Sequence, residues 1–137
     1  MTKDELIFAY DKWLSARRWN WFATLTFRGS PSLNKADRLF RVWISEIRQR
    51  EGTRTFSWVR VTERGANSDN VHFHALVGGL NNPCKWDWIL RWNELAGESA
   101  IFYYQPFRGG IRYMLKEARP NRDFDIEIEI APCGGPQ

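Results

Sequence analysis

The chain has 137 residues, 43% hydrophobic and 26% charged, which is enough apolar surface for one packed core and excludes a disordered or low-complexity chain. Its formal charge of +4 is unevenly spread: residues 121–137 hold Arg122 against Asp123, Asp125, Glu127 and Glu129, a local −3 that leaves +7 on residues 1–120. A positive body favours a polyanionic partner, and two cysteines with no CxxC spacing, Cys84 and Cys133, argue against structural zinc or a disulfide scaffold.

No apolar run approaches the ~18 residues of a membrane span, and no basic-then-apolar leader opens the chain, so an intracellular, non-membrane protein is expected. Asp4–Arg17 reads as a short amphipathic helix with Leu6, Tyr10, Trp13 and Leu14 near helical spacing. WNWFATLTF (Trp19–Phe27) is aromatic and β-branched and closes on RGSPS, the signature of a strand and its turn. Ser32 or Asn34 would cap the next helix, with Ala36, Leu39, Phe40, Trp43, Ile44 and Ile47 buried and Gly52 ending it. Thr55–Arg64 and Val71–Val77 read as a hairpin across the polar loop GANSDN.

Asn82 and Pro83 open a third helix, Cys84–Ala96, stopped by Gly97. SAIFYYQPF reads as a strand, and RGG leads into a short helix, Ile111–Ala118. FDIEIEI alternates strictly, Ile126, Ile128 and Ile130 against acids, as a half-exposed strand at or near a sheet edge does. The order α–β–α–β–β–α–β–α–β predicts an α+β domain over residues 1–131, a central five-stranded, mainly antiparallel sheet flanked by helices. Residues 132–137 read as a flexible tail, a frayed end or a cut domain boundary.

The chain's only histidines, His72 and His74, sit two apart in VHFHALVGG. Alternation along a strand turns both to one face, with Phe73 turned away. If Arg64 pairs with Val71, Glu63 lies opposite His72 and Val61 opposite His74, so Glu63 joins the histidines. Two imidazoles and a carboxylate suit a divalent metal, Mn²⁺ or Mg²⁺, for phosphodiester chemistry. A one-residue slip would turn Glu63 away; Asp69 is the substitute ligand.

Metal-assisted attack needs an oxygen nucleophile. In GGIRYMLKEA, Tyr113 and Lys116 stand three apart on one helical face, with Ile111, Leu115 and Ala118 on the other. That would hold the Tyr113 hydroxyl on a rigid element beside a cation. Gly109 and Gly110 would let a nucleic-acid backbone come close or let the helix pivot. Tyr103 and Tyr104 are rivals, but Phe102 and Phe107 around them suggest core. Arg60, Arg64, Arg108, Arg112 and Arg119 are candidate phosphate contacts. Most of the eight tryptophans are assigned to the core, including Trp86, Trp88 and Trp92 along the third helix.

Taken in order, FATLTF, the HFH of His72–His74 and the Tyr-x-x-Lys of Tyr113–Lys116 resemble the HUH endonuclease superfamily over residues 19 to 118. The resemblance implies a ferredoxin-like HUH fold, with Glu63 as third metal ligand as in replication initiators. It implies nicking and joining of single-stranded DNA, an origin or stem-loop, through a 5′-phosphotyrosine on Tyr113 that initiates rolling-circle replication. It places the protein in the cytoplasm of a bacterial host or the nucleus of a eukaryotic virus's host. Relaxases carry their tyrosine near the N-terminus and a third histidine ligand, whereas here the candidate tyrosine follows HFH and there is no third histidine. Single-tyrosine transposases share its order and remain an alternative, as does a non-catalytic single-strand-binding module or a zinc domain recruiting Cys84 or Cys133. No GxxxxGK[ST] phosphate loop accompanies the motifs.

Overall fold

A computed structural model describes residues 2–64, 70–116 and 125–131. Asp69, Glu117, Ala118, Arg119, Cys133 and the expected tail lie outside these. The elements follow the predicted order: α1 (Lys3–Ser15), β1 (Trp21–Leu25), α2 (Leu33–Glu51), β2 (Gly52–Arg64), β3 (Val71–Leu80), α3 (Lys85–Leu95), β4 (Ser99–Tyr103), a 3₁₀ turn (Pro106–Arg108), α4 (Gly110–Lys116) and β5 (Ile126–Glu129). The strands form one antiparallel sheet in the order β4-β1-β3-β2-β5. The fold is α+β, a five-stranded antiparallel sheet flanked by helices, and the alternating segment does form an edge strand. No described helix is long and apolar enough to cross a membrane.

Local chemistry sets the element ends. Thr2 and Glu5 close a capping box on α1, and the Ser32 hydroxyl accepts from Lys35 N at 3.2 Å to cap α2. Gly79 has φ +73°, and a Cβ there would stand 2.3 Å from the Thr55 carbonyl carbon. Only glycine lets β3 cross β2 so closely, beside the register shift between Gly52 and Ser57.

Two helical layers cover the sheet. On one face α2 and α3 bury Ala36, Phe40, Trp43, Ile44, Ile47, Trp88 and Trp92 against the inward residues of the central strands. On the other, Leu14 of α1 and Ile111, Met114 and Leu115 of α4 pack on Val59, Val61 and Leu76. Six tryptophans are buried, but Trp13 and Trp86 are 46% and 63% exposed, so Trp86 departs from its core assignment. The helix turns Trp88 and Trp92 inward and Trp86, two positions before Trp88, outward.

Arg60 lies at the centre of the α2/α3 core, fully buried. Its guanidinium donates to Asp37 at 2.7 Å and lies 4.2 Å from the Phe73 ring centroid and 4.9 Å from that of Phe40. Burial by itself raises the Asp37 carboxyl, but hydrogen bonds and charge from Arg60 and Arg41 outweigh it and hold the group below its ordinary value. Arg64 is ion-paired with the buried Asp125. Both arginines were expected to contact phosphate; alternation instead turns them to the face opposite Glu63, where carboxylates hold them. The acids of β5 also engage Arg41 through Glu127 and Arg48 through Glu129, so much of the negative charge of residues 121–137 offsets arginines of α2 and β2.

Asp37→Ala leaves the buried Arg60 charge unpaired and is expected to cost about 3–5 kcal/mol in urea denaturation. The Asp37 folded pKa is depressed, so the pair's contribution is complete above about pH 4 and fades as pH falls through the folded value. A Asp37→Leu/Arg60→Met double variant should recover most of the loss and flatten that acid dependence.

Candidate active site

The β2–β3 ladder pairs Arg64 with Val71, Glu63 with His72 and Val61 with His74, the register predicted from the hairpin. His72 and His74 share strand parity with Leu76, which packs under α1 and α4, so both histidines and Glu63 occupy that face. Nε2 of His74 is 2.6 Å from Glu63 Oε2. On the other side β1 sets Thr24 opposite His74, and Thr24 Oγ1 meets Nδ1 at 3.2 Å. His74 is 5% exposed and is thus held at both ring nitrogens, an arrangement that fixes the tautomer and orientation of an imidazole.

The Tyr113 ring stands edge-on to His74, 5.8 Å between centroids at 79°. The α4 sequence explains this placement. Ile111, Met114 and Leu115 are buried, so the helix lies on the sheet while Tyr113, 62% exposed, keeps its hydroxyl end available. Gly109 adopts φ +69° between the 3₁₀ turn and α4, and its carbonyl accepts from Tyr113 N at 3.0 Å. Gly110 lies against Phe22, where a Cβ would stand 3.2 Å from the ring. These glycines therefore shape the turn and seat the helix. Lys116 is exposed one turn beyond Tyr113, and the Lys3 ammonium donates to its carbonyl at 2.7 Å.

The other candidates fall out differently. Arg112 donates to Asp11 at 2.7 Å and ties α4 to α1. Arg108 is exposed and donates to the Gln105 side chain at 2.9 Å, with no acidic partner among the described residues. Tyr103 and Phe102, expected in the core, are each 61% exposed, because β4 is an edge strand. Tyr103 pairs with Trp21, whose side chain belongs to the α2/α3 core, so it faces away from His74. Tyr104 is raised above the ordinary phenol value by burial and by Asp11, which makes it a poorer nucleophile.

Glu63, His72 and His74 offer two ring nitrogens and a carboxylate on one face, a donor set that suits a divalent cation. Their chemistry fits such an ion, but the Glu63–His74 hydrogen bond must open for both to share it. Among the described residues no three His, Cys, Asp or Glu side chains are already gathered into a metal cage, and Cys84 is free and exposed. Thr24 and Phe22 were not singled out in the sequence. Both lie in FATLTF, two apart and so on one strand face, but their nearness to His74 depends on β1–β3 pairing. No protein-family model, curated protein or solved structure matches the chain.

Because α4 rests on Phe22 through Gly110, Gly110→Val should destabilise the fold by about 1–3 kcal/mol through overpacking. Urea denaturation checks this, and a neutral result would mean that α4 is not seated on that ring.

Proposed function

We propose that this chain is a metal-dependent endonuclease of the HUH type that nicks and rejoins single-stranded DNA through Tyr113, acting as the nuclease domain of a rolling-circle replication initiator. The observation that carries the reading is the exposed Tyr113 held 5.8 Å from His74, itself hydrogen-bonded to Glu63. A tyrosine, a histidine pair and a carboxylate on one face form the combination that transesterification at phosphorus needs. The ordered resemblance of FATLTF, HFH and Tyr-x-x-Lys supports the same reading.

Glu63, His72 and His74 would hold the cation, Mn²⁺ or Mg²⁺, which when bound polarises a phosphate oxygen and offsets charge in the transition state. Thr24 orients His74 through Nδ1. Tyr113 Oη forms the bond to phosphorus as the bond to the 3′-oxygen breaks. The phenol proton is released, the departing oxygen takes up a proton as a 3′-hydroxyl, and the 5′-phosphate stays esterified to Tyr113. One ester replaces another, so the reverse attack by a 3′-hydroxyl restores the strand without a nucleotide cofactor. Lys116 and Arg108 supply positive charge for the DNA backbone near this step.

Incubating the protein with a labelled library of single-stranded DNA stem-loops and Mn²⁺ should give a slow-migrating covalent band on a denaturing gel. Tyr113→Phe is expected to abolish it, EDTA to prevent it, and excess 3′-hydroxyl strand to reverse it. Tight DNA binding with no adduct would favour a non-catalytic module instead.

A further inference from the structure

Beside the Tyr113 face lies a cleft of about 440 Å³, of which the proposed reaction uses only Arg108. Phe22, Phe102 and Tyr104 line it from β1, β4 and the segment after β4, and Gln105, Arg108 and Lys85 line its rim. Phe102 is cross-strand from Phe22, so the two rings share the sheet face that carries His74. The Phe22 ring is 6.0 Å from His74 and also seats Gly110 at the start of the Tyr113 helix. The cleft and the candidate active site are therefore separated by one aromatic ring.

Its chemistry is aromatic and cationic. Phe102 and Tyr103, neighbours on the edge strand that point to opposite faces, both line the cleft and are each 61% exposed. The Lys85 ammonium sits 4.7 Å from the Tyr103 ring centroid. Arg108 Nε donates to Gln105 Oε1, which leaves the Gln105 amide N–H groups to donate elsewhere. Among the described residues no acidic side chain lines the cleft. A second copy of this chain is a poor occupant, because a two-fold contact across β4 would bring Lys85 and Arg108 towards their own like charges. A flat aromatic anion carrier with hydrogen-bond acceptors on its edge meets every feature.

We propose that this cleft takes an unpaired nucleobase adjoining the scissile phosphate, stacked on Phe102 and Phe22, with Gln105 donating to the base edge and Arg108 and Lys85 facing its phosphates. The inference rests on the single-stranded DNA reading above and names the residues that would grip the strand beside Tyr113. Base–aromatic stacking tolerates any base, because each has a π-face, while an amide donor at the rim adds a preference for bases with an acceptor on that edge.

The test uses fluorescence anisotropy in EDTA with two probes of about 20 nucleotides, longer than a small domain's single-strand footprint. One is random-sequence single-stranded DNA and the other an abasic backbone of equal length and charge. The wild-type chain should prefer the base-bearing probe by about tenfold or more. Phe102→Ala should cut that preference several-fold through weaker binding of the base-bearing probe. Gln105→Ala, at an exposed position outside either core, should act in the same direction, and thermal melts would verify that both variants fold. If folded variants keep the full preference, or the wild type binds both probes equally, the nucleobase cleft is overturned while the Tyr113 adduct assay still reports on the nuclease. If the wild type binds neither probe, the cleft and the single-stranded DNA reading both fall. A change in oligomeric mass in Phe102→Ala with unchanged probe preference would assign the edge to self-association instead.

Discussion

The register between β2 and β3 is the constraint on which the site depends. Side chains repeat with a period of two along a strand, so a slip of one residue would exchange every facing pair. Glu63 would then enter the α2/α3 core, and Arg60 would be displaced from Asp37 to the opposite face. The close crossing at Gly79 and the Arg60–Asp37 pair oppose such a slip from two places along the hairpin. The same pairing that buries the arginine thus sets the carboxylate beside His74.

The two sheet faces are used differently. The α2/α3 face is a continuous aromatic core in which Phe40, Trp43, Trp58, Phe73 and Trp92 make edge-to-face contacts. Trp43 donates its indole N–H to the Trp88 carbonyl, Trp92 to that of Thr26 and Trp58 to the Glu129 carboxylate, while the buried indole nitrogens of Trp21 and Trp88 have no partner among the described residues. On the other face α1 and α4 cover the Leu76 rung and leave His72 and Glu63 half-buried. A rigid layer beneath and a partly open one above is the arrangement that holds reacting groups still while admitting a polymer.

The hairpin, its register and the alternating edge strand were legible because each follows from local pattern: loop length, period-two alternation and turn residues. The same alternation already set Arg60 and Arg64 on the face opposite Glu63, so their turning away from the histidines was legible too. Arg60's partner was not, because Asp37 stands on α2, 23 residues away. Phe102 and Tyr103 misled because a strand rich in aromatics looks the same at the centre and at the edge of a sheet, and strand order is a tertiary property. Thr24 was hidden for the same reason, since only β1–β3 pairing brings it to His74. Met114 escaped the predicted stripe of α4, although its spacing from Ile111 puts it on that stripe.

The most direct measurement of the central claim is to locate the DNA attachment by mass spectrometry. Trypsin cutting after Arg112 and Lys116 would release Tyr113–Lys116 as a four-residue peptide, and nuclease trimming of the trapped adduct should leave a 5′-linked nucleotide on its tyrosine. That mass on this peptide is the predicted result. The same mass on the peptide carrying Tyr103 and Tyr104, or a cleaved strand with no protein attached, would contradict the account.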